Sequence, residues 1–169
     1  ERCHEVCRRM FGVEMTGLRI PHFKHLFSDD IYPLLKQTGY VYSSSTWLTN
    51  TTSRGLPFMG PENIVEFPLA TCPLHPFTVF DTWHSLNATR LSHRIIHRGP
   101  EAYLELFEEL IAIGKRTGSY INIYMDPLDV KKIPGFERML ELLSDPELIV
   151  TTYEDYLAGG LPIVGARGA

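Results

Sequence analysis

Residues 120–130 read YINIYMDPLDV, and the reading of this stretch decides the fold. Tyr120 to Tyr124 suit a buried strand, Met125 closes the apolar run, and Asp126 is followed at once by Pro127. An apolar strand therefore ends on an acid, with the helical segment FERMLELLSD a short connection further on. A strand feeding a helix in this way is the repeating unit of a parallel α/β fold.

The same alternation extends in both directions. Upstream, residues 2–11 read as a helix, and Gly17 ends the approach to LRIPHF, where Pro21 pushes Ile20 towards an extended conformation. Asp29 and Asp30 are placed to cap IYPLLKQTG, whose Ile31, Leu34 and Leu35 share a helical face and whose Gly39 supplies the stop. YVYSSST is then a strand, Asn50 to Pro61 a loop punctuated by Gly and Pro, and IVEFPLA a second strand. Thr71 to Arg98 is irregular and rich in His, Pro and aromatic residues, the composition of a long functional loop. PEAYLELFEELIAIGKRTG is the strongest helix, with Pro100 in its first turn, early acids, late bases and Gly118 as its stop. At the far end IVTTYEDYLAG reads as a last strand running into a short helix. The expectation is an α/β fold with mostly parallel strands in one domain spanning 1–169. In such folds ligand-binding residues gather at the C-terminal ends of strands; Asp126 lies at one such end, and His22, Trp47 and the loop beginning at Ala70 at others.

Composition narrows the partners. The chain has 169 residues, 44% hydrophobic and 21% charged, enough apolar material for a core. A formal net charge of −4 offers neither nucleic acid nor anionic membrane a concentrated basic patch, so both are disfavoured. Spanning a bilayer takes roughly 20 apolar residues; no run approaches that, and no membrane span is expected. ERCHEVCRRM at the start is charged where a secretory signal would be apolar. Because the first residue is Glu1, a processed product or a piece of a longer protein is expected. Exposed edges of a parallel sheet invite pairing with a second copy, so a homodimer is expected.

Three cysteines cannot build a disulfide framework. Cys3 and Cys7, spaced i, i+4 around His4, could hold one edge of a metal site, but no common zinc spacing follows, and two buried thiols on a helix face is the expectation. His93 and His97 form an H-x-x-x-H that Asp81 and His84 could complete as a metal site. Arg90, Arg94 and Arg98 surround the pair and would repel a divalent cation, so a solvated helix is the expected reading. In FDTWHSL, Trp83 offers a flat apolar face for a sugar ring and Asp81 an acceptor for its hydroxyls. Packing of Trp83 beneath its own loop is the alternative.

In order, GLRIPHF, GYVYSSSTW, ENIVEFPLA, INIYMDPLDV and GFERMLELLSDPELIVTTYEDYL resemble the C-terminal part of the polysaccharide deacetylase family, over Glu5 to Leu157. That family comprises metal-dependent hydrolases of N-acetyl sugars with a distorted (β/α) barrel, so the resemblance implies a partial (β/α) barrel and a carbohydrate partner. Arg19-Ile20-Pro21 matches the family's Arg-x-Pro-aromatic motif, with His22 at the aromatic position and Phe23 just after. By that match Arg19 orients the aspartate acting as base, a task suited to a guanidinium because it holds a carboxylate bidentately. Asp126 stands where the family carries the histidine that protonates the leaving amine, which implies a catalytic place for it. An ordinary Asp has a pKa of about 3.9 against about 6.5 for His, so it is a poor acid at neutral pH unless burial raises it strongly. The resemblance also implies sugar contacts from His22, Phe23, Asp81 and Trp83. The family's paired aspartates and His-x-x-x-His metal ligands precede its Arg-x-Pro strand and are missing from that place here, and the H-x-x-x-H of His93 and His97 follows Arg19, in the wrong order for the family. No metal ligand is therefore assigned here, and zinc or cobalt is expected only where those N-terminal motifs are supplied. A catalytically inactive carbohydrate-binding relative is the alternative.

Overall fold

Strands of two residues hold no structure alone, and each one here depends on a neighbouring strand. The computed structural model describes residues 2–20, 30–47, 53, 55–74, 76, 78–82 and 100–165. They belong to two compact units: Glu1–Thr46 with Asn50–Pro68 and Pro162–Ala169, and Leu69–Leu161 with Trp47–Thr49.

The first unit carries a four-stranded sheet in the order β1-β2-β4-β3, with β1 Gly17–Leu18, β2 Tyr42–Ser43, β3 Phe58–Met59 and β4 Val65–Glu66. β1, β2 and β4 run parallel in one register, Gly17 beside Tyr42 beside Val65 and Leu18 beside Ser43 beside Glu66. Their C-terminal ends therefore line up. β3 pairs antiparallel with β4, and Met59 N–H donates to the Val164 carbonyl at 2.9 Å. The Asn50–Pro61 stretch, expected as a loop, thus contains a strand, paired with β4 just after it and bonded to Val164 far along the chain.

Helix α1 (Arg2–Phe11) matches its expected span, and α2 (Ile31–Gln37) sits between β1 and β2 in sequence. Leu35 of α2 packs with Tyr40 and Ile64, and Met15, Leu18, Ile31 and Tyr32 close around them. Gly39 ends α2 at φ +85, with its N–H donating to the Lys36 carbonyl and that of Tyr40 to Leu35, a Schellman termination. Asp30 occupies the N-cap position, yet its side chain makes no capping hydrogen bond; Asp29 lies outside the described residues. The backbone of Asp30 is helical, whereas capping by a side chain needs an extended residue there.

The second unit is organised by α3 (Pro100–Thr117). Tyr103, Leu106, Phe107, Leu110 and Ile111 form its apolar stripe and pack against Ala70, Cys72, Phe80, Ile133 and Met139. The Phe80 and Tyr103 rings stack, with centroids 4.7 Å apart and planes 6° from parallel. Met139 comes from α5 (Phe136–Leu143), where the sequence predicts a helix. Gly118, at φ +64, ends α3.

Three expectations are corrected here. Residues 120–126 form no regular strand; among the described residues they make one parallel bridge, Tyr124 with Asp81, and accept the Ala70 N–H at Asn122. Within the described part of the 71–98 stretch, Cys72 and residues 79–82 are core rather than open loop, while Leu74 stays exposed. Thr71 and Val79 bridge antiparallel, and Val79, Phe80, Asp81 and Thr82 are buried. Residues 149–152 are no strand either, since Ile149 and Val150 are 80% and 64% exposed and α6 (Tyr153–Ala158) follows, capped by Thr152. β-branched residues favour a strand only where a neighbouring strand meets them.

Gly17 of β1 packs directly beneath the Tyr42 ring of β2. A Cβ added at Gly17 would lie 1.9 Å from Cε2 of Tyr42, whose ring sits edge-on to Phe67 at 5.7 Å. Gly17→Ala is accordingly expected to lose roughly 1–3 kcal/mol of stability by overpacking, read as a lower urea midpoint. Gly12→Ala, which meets nothing within 4 Å, is strained only through its positive φ and serves as the comparison.

Candidate functional site

The aligned ends of β1, β2 and β4 carry a polar cluster in the first unit. Arg19 leaves β1 and turns its guanidinium onto Ser44: Nε–H donates to the Ser44 carbonyl at 3.1 Å, and Nη2 donates to Ser44 Oγ at 2.8 Å. Ile20 N–H donates to Ser45 Oγ at 3.0 Å, and Ser43 Oγ donates to Ser45 Oγ at 3.1 Å. Ser44 N–H in turn donates to the Leu18 carbonyl at 2.9 Å. These bonds fix the chain just past β1 against the chain just past β2.

Beneath them lies Glu66, with 0% of its surface exposed. Oε1 accepts the backbone N–H groups of Ser45 at 2.6 Å and Thr46 at 2.8 Å, and Oε2 accepts the Tyr32 hydroxyl at 3.4 Å. A carboxylate in the interior is tolerated only when its oxygens are bonded in this way. Ser43, Ser44 and Ser45 are buried beside it. The sequence reading assigned Glu66 no role, although a visible sign existed: it is the single acid inside the apolar run IVEFPLA. Central parallel strands bury both faces, so an acid there must find its partners indoors.

In the second unit Asp126 has a local duty. It is the N-cap of α4 (Pro127–Val130), with an extended backbone at φ −79 and ψ 123. Its Oδ1 accepts Leu128 N–H at 2.9 Å, and its carbonyl accepts Asp129 and Val130 N–H. Asp126 N–H donates to Thr82 Oγ1 at 2.7 Å, which fixes the residue from behind. Asp with Pro at the next position is a helix-start signature, so the odd acid of YINIYMDPLDV also belongs to the element after it.

Asp81 is 1% exposed and bridges Tyr124. The Tyr103 hydroxyl has no hydrogen-bond partner among the described residues; burial, and then the charge of Asp81, push its pKa up. Neither group is open to a sugar ring. Asp81 was expected as a sugar-facing acceptor, and its burial places it among the supports of the unit's interior. His22, Phe23, Trp83, His84, His93 and His97 lie outside the described residues. Arg19 lies in the first unit and Asp81 and Asp126 in the second.

Among the described residues no group of three or more His, Cys, Asp and Glu side chains could hold a metal ion, so those residues do not fit the metal of the resembling hydrolases. Cys3 is exposed and Cys7 half-buried, correcting the expectation of two buried thiols; α1 presents that face to solvent over part of its length. Among the described residues no helix is long and apolar enough to cross a membrane. No family profile matches the chain, and no curated protein and no solved structure is detectably similar to it.

Two substitutions separate the cap from any other duty of Asp126. Asp126→Ala is expected to cost about 1 kcal/mol, while Asp126→Asn, an equally good cap, stays within a few tenths of wild type. Urea denaturation followed by circular dichroism reads both.

Proposed function

We propose that the chain is the C-terminal part of a polysaccharide deacetylase-type hydrolase, with a partial (β/α) barrel, that removes N-acetyl groups from a carbohydrate. The reading rests on Arg19. It follows a parallel strand, Ile20 and Pro21 come next, and two bonds to Ser44 hold its guanidinium in one direction. A guanidinium so held presents a fixed cationic surface to a carboxylate, the duty the resemblance assigns to it.

The metal motifs of such hydrolases do not precede Arg19 in this sequence, so zinc or cobalt enters the reading only with a segment that supplies them. Arg19 then directs the base, Asp126 serves as a modified acid or water-positioning group, and His22, Phe23 and Trp83 are the proposed sugar contacts. For Asp81 the burial argues against direct contact, which leaves the carbohydrate surface to residues beyond it.

A second reading, a non-catalytic carbohydrate-binding relative, is favoured by one observation. Asp126 Oδ1 is committed to Leu128 N–H, so the position where the family carries its proton donor serves helix α4. The two readings part on a single assay. An N-acetylated chitooligosaccharide is incubated with this chain joined to a segment bearing the Asp-Asp and His-x-x-x-His motifs, with zinc or cobalt added. Acetate release supports the hydrolase; a saccharide-dependent change in tryptophan fluorescence with no acetate supports the binding relative. Absence of both overturns the carbohydrate reading.

A further inference from the structure

The Ser44 carbonyl and the Ser45 N–H belong to one peptide group, and the two ends of that group are bonded to opposite charges. Ser45 N–H donates to Glu66 Oε1 at 2.6 Å, and the Ser44 carbonyl accepts Arg19 Nε–H at 3.1 Å. A trans peptide is a rigid plane whose N–H and C=O point in opposite directions. Whatever holds the N–H therefore also aims the carbonyl. We propose that Glu66 is the positioning residue of Arg19, acting through the Ser44–Ser45 peptide plane.

Three features of the cluster support this assignment. The second bond to Oε1, from Thr46 N–H at 2.8 Å, stops the plane from rotating about its own axis, since two successive amides converge on one oxygen. Ser44 Oγ adds a second acceptor for Arg19 at 2.8 Å, so the guanidinium reads both the backbone and the side chain of a residue that Glu66 has fixed. Carboxylate, amide and guanidinium also polarise in one sense: the acceptor on the N–H makes the carbonyl a better acceptor for the cation, and bonds in series strengthen one another where water is excluded. Glu66 is 0% and Ser44 1% exposed, so water does not compete for the bonds at this plane.

Direct contact between Glu66 and substrate is ruled out by that burial, which is why its part is to position. The inference concerns the direction of Arg19 and holds whether or not the chain hydrolyses anything; it rests on the hydrolase reading only for what Arg19 then meets. Acetate release enters nowhere in its test, so the two can fail separately.

The readout is the Arg19 Nε–H resonance in 15N-labelled full chain, observed for its exchange with solvent. In Glu66→Leu that exchange is expected to accelerate about tenfold or more, as the loss of a charge-assisted bond implies. Glu66→Gln, which keeps an acceptor oxygen without the charge, recovers part of the protection and stays at least threefold faster than wild type. Tyr32→Phe removes the hydroxyl on Oε2 but leaves Oε1 untouched, so it leaves Arg19 within twofold of wild type. Should Glu66→Leu fail to fold, Glu66→Gln against Tyr32→Phe carries the comparison alone. Arg19 exchange within twofold of wild type in Glu66→Gln, or an equal acceleration in Tyr32→Phe, overturns the assignment.

Discussion

A carboxylate sealed from solvent constrains everything around it. Glu66 cannot reach water, so the protein must bring donors to it, and it brings two backbone amides from the turn after β2 and a hydroxyl from α2. Those donors arrive only if β2 and β4 lie parallel and in register and α2 packs across them. Leaving the acid without them would cost on the order of 1–3 kcal/mol for each unmet group, and more for a charge. The bond pattern thus selects one arrangement of the sheet ends, and Arg19 inherits its place from that arrangement.

The apolar contribution is of a different kind in the second unit. There a single long helix supplies half of the buried residues of the core cluster, and the stacked pair Phe80 and Tyr103 joins it to the segment after Leu69. Packing of this type tolerates variation in detail and fixes position through shape. The first unit is specified by hydrogen bonds among small polar residues, the second by large apolar ones, and Asp126 with Thr82 is a point in the second where a polar bond fixes the chain path.

Much of the helical content was legible in the sequence because its signals are local. Gly39 and Gly118 mark helix ends through their own backbone freedom, and the stripe from Tyr103 to Ile111 announces its buried face by spacing alone. The strands were less legible because pairing is not local. YINIYMD and IVTT have the residues of strands, yet the first finds one bridge and the second none among the described residues. Phe58 and Met59 are paired with β4 and touch Val164, a contact no window of sequence around them displays. Of the candidate site, Arg19 was readable from its motif. Glu66 was overlooked because an acid in an apolar strand has meaning only once its donors are known. Asp126 was read for the strand it follows, although Pro127 beside it already pointed to the helix it begins.

The close approach at Gly17 also bears on how this position can change over generations. Every amino acid one base away from a glycine codon carries a Cβ, so every missense change there drives an atom into the ring of Tyr42. Position 17 can therefore vary only together with position 42, a larger residue at the first being tolerated where the second has shrunk. Aligned sequences of this fold should show the two positions trading volume, with glycine retained wherever the aromatic ring is.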